Sequence, residues 1–402
     1  MLCSYLKSAT SVLFLTLFFF LPAALAGGFD NSGLPFGIIF DTAGKPNELW
    51  VSYSRVSPKI SGTVYQTRIQ SNPTLQTENV VKSYGDFEIG VRLKITDRVS
   101  CALRTENPYF ASVGYQDDTL SYVSDSSSNA APVTSQYRSK LLTVGCRYRW
   151  VVDDQFVYVY GGPKYQKVSG FFSSDLSPES AGRRDNLEVS LDGGSEYGYF
   201  LGLAYEVPSI AARVELVYHN EINYSLRGHS LTPISLDGDR LWSEASSRTA
   251  TPKSVQLKLR SGVSENVLIF ANFRWGDWSS VSGIKVQDGV GNPSISLYDH
   301  DTVNLNTGVM LAINDKWNMG GSYSTVFSLS GGSRIGASLR NPQGTRHTIF
   351  FGVQYWPKQD IALDTGASFT EMENKKIDEN AFVGEFEDMS AISVSAGVSW
   401  FF

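Results

Sequence analysis

The carboxyl-terminal stretch, Ala391 to Phe402, reads AISVSAGVSWFF and restricts the fold more than any other part of the chain. Counting back in twos, Phe402, Trp400, Val398, Ala396, Val394 and Ile392 form an entirely apolar row. The other row holds Phe401, Ser399, Gly397, Ser395 and Ser393, small and polar except at its end. Successive side chains of a strand point to opposite faces, so this is a strand with one greasy face and one wet face.

A chain that ends on an aromatic residue at the close of such a strand resembles the last strand of a bacterial outer-membrane β-barrel. There, a terminal Phe like Phe402 is the tag read by the barrel assembly machinery. Phe402 then faces membrane lipid and the serines face a lumen. The N-terminus agrees. Lys7 is the only charge before the apolar run Val12 to Leu21, and Pro22 leads to the small-residue site Ala24-Leu25-Ala26. That pattern predicts a secretory signal peptide over residues 1–26, with the mature chain starting at Gly27 in the outer membrane of a Gram-negative cell.

Elsewhere no stretch approaches 18 consecutive apolar residues, so a helical span is excluded. Aromatic residues make up 13% and mean hydropathy is −0.14, as expected of strands that alternate greasy and polar residues. Without the signal the chain carries 33 basic against 40 acidic residues, which argues against a nucleic-acid partner. Cys101 and Cys146 fall on apolar rows near the periplasmic ends of neighbouring strands. An oxidising compartment permits a disulfide there, and register decides; two small lipid-facing residues is the simpler reading.

From Glu48 onward, strands are separated alternately by tight turns and long polar loops. Short turns fall at Thr96-Asp97-Arg98, Val152-Asp153-Asp154, Pro208-Ser209-Ile210, Val263-Ser264-Glu265, Asn314-Asp315-Lys316 and Pro357-Lys358-Gln359. Long loops fall near 171–192, 225–250, 279–300, 331–345 and 374–387, besides two nearer the N-terminus. Six short turns and seven long loops predict an all-β, antiparallel transmembrane barrel of fourteen strands over 48–402, with both termini in the periplasm. Trp50, Trp150, Trp317, Trp356 and Trp400 are expected in a periplasmic aromatic girdle, and Trp275 and Trp278 in an outer one.

Eight strands fill their interior with side chains and sixteen to eighteen leave a channel, so fourteen would leak unless occupied. Residues 27–47, GGFDNSGLPFGIIFDTAGKPN, have no strand pattern and mix glycines with greasy residues. They read as a plug, or hatch, with Gly27, Gly28, Phe29, Phe36 and Phe40 as its marked positions. Inward rows collect Arg92, Lys94, Arg104, Arg147, Arg149, Lys258, Arg260 and Arg274 against fewer acids, namely Glu88, Glu206, Glu215 and Asp364. A net basic lumen attracts an anionic head group, which makes Arg147, Arg149, Lys258, Arg260 and Arg274 the candidate ligand-binding residues. Pro108, after Asn107, cannot donate to a ladder and marks a kink behind which the wall could open sideways.

Gly27-Gly28-Phe29-Asp30, Arg55-Val56-Ser57-Pro58 with Ser61-Gly62, and Asn107-Pro108-Tyr109 carry a further likeness. So does the hairpin from Thr251-Pro252-Lys253-Ser254-Val255 to Arg274-Trp275-Gly276-Asp277-Trp278-Ser279. Together these residues resemble the long-chain fatty-acid transporter (FadL) family, in a version with a short hatch. The resemblance implies a fourteen-stranded monomeric barrel, a hatch, a greasy ligand pocket and a third-strand kink. Ligand would pass the hatch and leave sideways into lipid without energy coupling. The chain departs from the family in its shorter hatch and in lacking an Asn-Pro-Ala motif.

The leading reading is therefore passive uptake of hydrophobic molecules, fatty acids first and aromatic hydrocarbons second. A diffusion porin would need an unplugged lumen. A hydrolase is disfavoured: Asp299-His300-Asp301 is the only acid–histidine cluster, in a long loop, and no serine is marked out beside His219. No cofactor, metal site or catalytic residue is expected.

Overall fold

The computed structural model describes residues 36–40, 45–66, 74–115, 131–175, 186–233, 239–281, 284–288, 294–295, 300–329, 338–379 and 382–402. The expected signal peptide and the hatch residues Gly27, Gly28 and Phe29 lie outside these. Among the described residues no helix is long and apolar enough to cross a membrane.

Fourteen antiparallel strands form a closed wall. They are β1 Glu48–Gln66, β2 Tyr84–Lys94, β3 Val99–Glu106 continuing as Phe110–Gly114, β4 Ala131–Val152, β5 Gln155–Asp175, β6 Asn186–Val207 and β7 Ala212–His219 continuing as Ile222–Pro233. Then come β8 Arg240–Thr251 continuing as Ser254–Ser264, β9 Val267–Gly276, β10 Thr302–Ala312, β11 Trp317–Ser328, β12 Arg346–Lys358, β13 Ile361–Met372 and β14 Phe382–Phe401. Closure is made by β1, which pairs with β2 on one side and with β14 on the other. Asn47 and Phe402 exchange backbone hydrogen bonds of 3.3 and 3.2 Å just below that seam. A sheet closed on itself leaves no unpaired edge in lipid, which is the condition for a strand-built membrane span.

The alternation of β14 sorts as expected. Ile392, Val394, Val398, Trp400 and Phe402 are exposed on the outside, while Ser393, Ser399 and Phe401 are buried on the inside. All the short turns form within two residues of where the sequence puts them, but several expected loops are partly strand. β5 runs to Asp175, β7 to Pro233 and β8 begins at Arg240, and Lys375–Glu379 pairs with the outer end of β14. Beyond the membrane both faces of a strand meet water, so ladder pairing continues without the greasy row that marks it in sequence.

Parity also corrects the aromatic girdle. Trp150, Trp317 and Trp400 are exposed on the lipid side, but Trp50, Trp356 and Trp278 are buried inside. Trp50 and Trp356 fall on the inward rows of their strands, one residue out of step with the greasy outer row, and Trp278 lies past the end of β9. Cys101 and Cys146 are directly opposed on β3 and β4, point outward, and form a disulfide.

Candidate functional site: a plugged lumen with a side gap

At the short-turn end, Phe36 to Phe40 sit inside the wall around a single 3-10 turn, Gly37–Ile39. Phe36, Ile38, Ile39 and Phe40 are all buried against Trp50, Tyr158, Tyr160, Phe200, Val217, Trp356 and Phe401 of the wall. Phe36 meets Phe200 edge-on at 4.8 Å, and Phe40 meets Tyr158 and Tyr160 at 5.3 Å each. The approach needs bare wall: a Cβ on Gly90 would stand 2.5 Å from Ile38, and one on Gly145 2.8 Å from Phe36.

Charge holds this segment as well. Arg92 donates to the carbonyl oxygens of Phe40 and, at 3.1 Å, Lys45, and it faces Glu48 at 3.4 Å. The Arg213 guanidinium stacks 3.9 Å over the Phe40 ring while bonded to Glu215 at 2.7 Å and facing Glu206 at 3.8 Å. Desolvated, such a cation–π contact contributes about 2 kcal/mol.

The five basic candidates divide among three levels. Arg149 sits at the short-turn end, where it donates to the Asp97 carbonyl at 2.7 Å and lies over Phe156. Arg147 and Arg260 join the hatch cluster. Arg147 lies 5.1 Å over Tyr158 and 5.8 Å over Phe40, and Arg260 faces Glu206 at 3.3 Å. Lys258 and Arg274 lie higher in the lumen with Lys164 of β5, all three within electrostatic reach of buried His219. Neither ring nitrogen of His219 has a hydrogen-bond partner among the described residues, and its ring stacks on Phe200.

Above that floor the lumen turns apolar. Tyr109, Tyr137, Val168, Phe172, Leu187, Val189, Leu191, Ile222, Tyr224 and Leu226 face one another from β3 to β7. The chain leaves the wall after Gly276, and its short turn Trp278–Ser280 carries Trp278 into this cluster. It rejoins the wall at Ile284–Gln287 beside β8. Asp301 fixes that excursion by accepting from Trp275 Nε1 and Ser279 N, both at 3.0 Å. Asp301 thus has a structural task; Asp299 lies outside the described residues. At the loop end, Leu339 accepts from the Tyr115 hydroxyl at 2.5 Å, and Arg340 donates to the carbonyls of Thr134 and Ser173. Leu339 and Arg340 therefore reach across to the end of β3 and to β4 and β5.

Asn107 and Pro108 break the wall. β2 pairs with β3 only from Ile89↔Thr105 down to Lys94↔Ser100. Past the break, Phe110–Gly114 pairs with β4 alone, and contact with the other side resumes at the Val81↔Val113 bridge. Among the described residues no ladder joins Tyr84–Glu88 to the 106–110 segment. That gap is spanned by side chains. Asn107 Nδ2 donates to Asp86 at 2.5 Å, and the Tyr84 and Phe110 rings lie 4.5 Å apart. Arg104 faces Glu88 at 2.6 Å and Glu106 at 4.0 Å along its lower rim.

Sequence reading missed Lys164, Arg213 and Trp278 as lumenal residues. For Arg213 the signal is present, since Val214, Leu216 and Tyr218 form the outward row beside it. Gly161-Gly162-Pro163 obscures the alternation just before Lys164, and Trp278 lies past the end of its strand.

A closed barrel with hydrophobic residues packed in its lumen and a side gap in its wall is the build of an outer-membrane channel for hydrophobic compounds. The profile of the family described as "Outer membrane protein transport protein (OMPP1/FadL/TodX)" matches residues 154–398, and the chain belongs to that family. Among solved structures it is similar to a FadL homologue of Pseudomonas aeruginosa, with a TM-score of 0.73 at 17% identity over 95% of this chain and 96% of that one. It is also similar to the toluene transporter TodX of Pseudomonas putida (0.64, 14%, 94% and 96%). The toluene transporter TbuX of Ralstonia pickettii is a third (0.62, 13%, 94% and 96%). At these identities the likeness is one of fold. No curated protein matches the sequence.

Proposed function

We propose that this outer-membrane transporter takes up long-chain fatty acids passively, past a hatch formed by residues 27–47 and out through the gap at Asn107–Pro108. The observation that carries this reading is the junction of two lumenal zones. An apolar section from Tyr109 to Leu226 ends on a floor where Lys164, Lys258 and Arg274 lie within electrostatic reach of His219. An acid with a long tail satisfies both zones at once: its chain takes the apolar surface and its carboxylate the cations, with His219 nitrogens at hand. Of the expected ligand-binding set, Lys258 and Arg274 then read the head group. Arg147, Arg149 and Arg260 serve the hatch and the short-turn rim.

An aromatic hydrocarbon is the second reading, favoured by the names of the TodX and TbuX neighbours, and it would use the apolar section alone. Cleavage near Ala26, export to the surface of a Gram-negative cell and delivery through Phe402 to the assembly machinery complete the proposal, with a monomer as the working unit. The test is binding of a fluorescent long-chain fatty acid to the refolded barrel, with toluene as competitor. Saturable binding that weakens in Lys258→Ala/Arg274→Ala supports the acid. Binding of toluene alone, unchanged in that variant, replaces it with the hydrocarbon reading.

A further inference from the structure

Lys140 of β4 and Lys167 of β5 are directly opposed in the ladder. Both point away from the lumen, since they are exposed while Ser139, Leu141, Gln166 and Val168 beside them are buried. Arg138, two residues along β4, faces the same way and lies over the Phe110 ring at 5.8 Å. Like charges directly opposite one another destabilise a strand pair. None of the three makes an ion pair among the described residues. No acid shares their patch: the flanking residues on the same rows are Leu142, Gln136, Tyr165, Ser169, Ser195 and Tyr197. The exposed Asp192 of β6 is opposed instead to Arg227 of β7.

Height on the wall identifies the counter-ion. The greasy outer rows of β4, β5 and β6 stop at Leu142, Tyr165 and Tyr197, and the two tyrosine rings lie 5.2 Å apart. Tyrosines in such a belt mark the level where hydrocarbon gives way to head groups. Lys140 and Lys167 occupy the next outward position beyond it and Arg138 the one after that, all on the loop side where head groups follow hydrocarbon.

We infer that Arg138, Lys140 and Lys167 form a binding site for the phosphate groups of a lipid in the outer leaflet. Three cations on neighbouring outward positions of two paired strands offer a phosphorylated head group charge-assisted hydrogen bonds. The acyl chains of the same molecule would lie on Leu142, Val144 and Tyr165 below. Because Arg138 stacks on Phe110, this lipid would border the side gap in the wall.

The full-length barrel in neutral detergent is titrated with bisphosphorylated lipid A, and bound lipid is counted by native mass spectrometry. R138Q/K140Q/K167Q is expected to weaken binding about tenfold or more, and R138K/K140R/K167R to retain it. R248Q/K285Q removes another opposed pair of exposed cations, farther from the belt, and is expected to change nothing. Dephosphorylated lipid A should bind wild type no better than lipid A binds the triple variant, and millimolar inorganic phosphate should not displace the lipid. Heat-modifiable gel mobility verifies folding; should the triple variant not fold, K140Q and K167Q singly must each show a partial loss. Unchanged binding in the glutamine variants, or an equal loss in R248Q/K285Q, overturns the site. Displacement by inorganic phosphate overturns its assignment to lipid.

Discussion

The ring of Trp278 meets that of Tyr109 edge-on, with centroids 5.8 Å apart and planes at 90°. Tyr109 follows the kink of β3 and Trp278 follows the end of β9, so one contact ties the side gap to the far wall of the lumen. Trp278→Ala should cost about 3–5 kcal/mol of packing if the cluster does not collapse. The wall ladders do not include Trp278, so the barrel should still form. Urea unfolding should show the lower stability, and fatty-acid titration a weaker affinity.

Arg213 packs on the lumenal N-terminal segment at Phe40. Arg213→Ala removes the cation over Phe40 and leaves Glu206 and Glu215 with less positive charge nearby. Breaking a buried pair in this way costs about 3–5 kcal/mol. Single-channel recording should then show larger or more frequent openings, and Phe40→Ala should do the same without disturbing the carboxylates. Silent channels in both variants would show that this segment does not close the lumen.

On the lipid side, Val144 points outward and is exposed, while Arg147, three residues on, is buried inward. Val144→Arg should impair assembly by about 2–4 kcal/mol near the midplane, and Arg147→Ala should leave the barrel folded. Equal tolerance at the two positions, read by heat-modifiable mobility, would reverse the face assignment of β4.

The Cys101–Cys146 bridge closes a loop of 45 residues on the outer surface. In the chain-entropy account a loop of that size is worth about 4 kcal/mol, acting through the unfolded chain. C101S/C146S should therefore lower the unfolding midpoint while leaving ligand affinity unchanged, since neither sulfur reaches the lumen.

A pH effect is expected at the loop end. Hydrogen bonds from Lys376 (2.6 Å) and the Tyr65 hydroxyl (3.1 Å) hold the Glu385 carboxyl below its ordinary value of 4.5. A depressed carboxylate stabilises the hairpin at pH values above 4.5, and that contribution is lost as pH falls through the lower folded value. Amide protection factors along Lys375–Glu379 should drop in that acid range while those of the wall persist, and Glu385→Gln should remove the transition.

The sequence alone determined the wall. Period-two alternation and short turns alternating with long loops specify fourteen strands and the facing of β14, because those are local patterns that membrane and lumen impose on every strand. Alternation also places Arg147, Lys258, Arg260 and Arg274 inside. It could not say which of them meet, since that depends on register and on barrel closure, which juxtapose residues far apart in the chain. So tertiary structure decided that Arg260 faces Glu206, that Lys258 and Arg274 share a floor with Lys164 and His219, and that the two cysteines are bonded. It also decided the fate of Trp278. A residue beyond a strand end has no parity to read, and only the folded path of the chain carries it into the lumen.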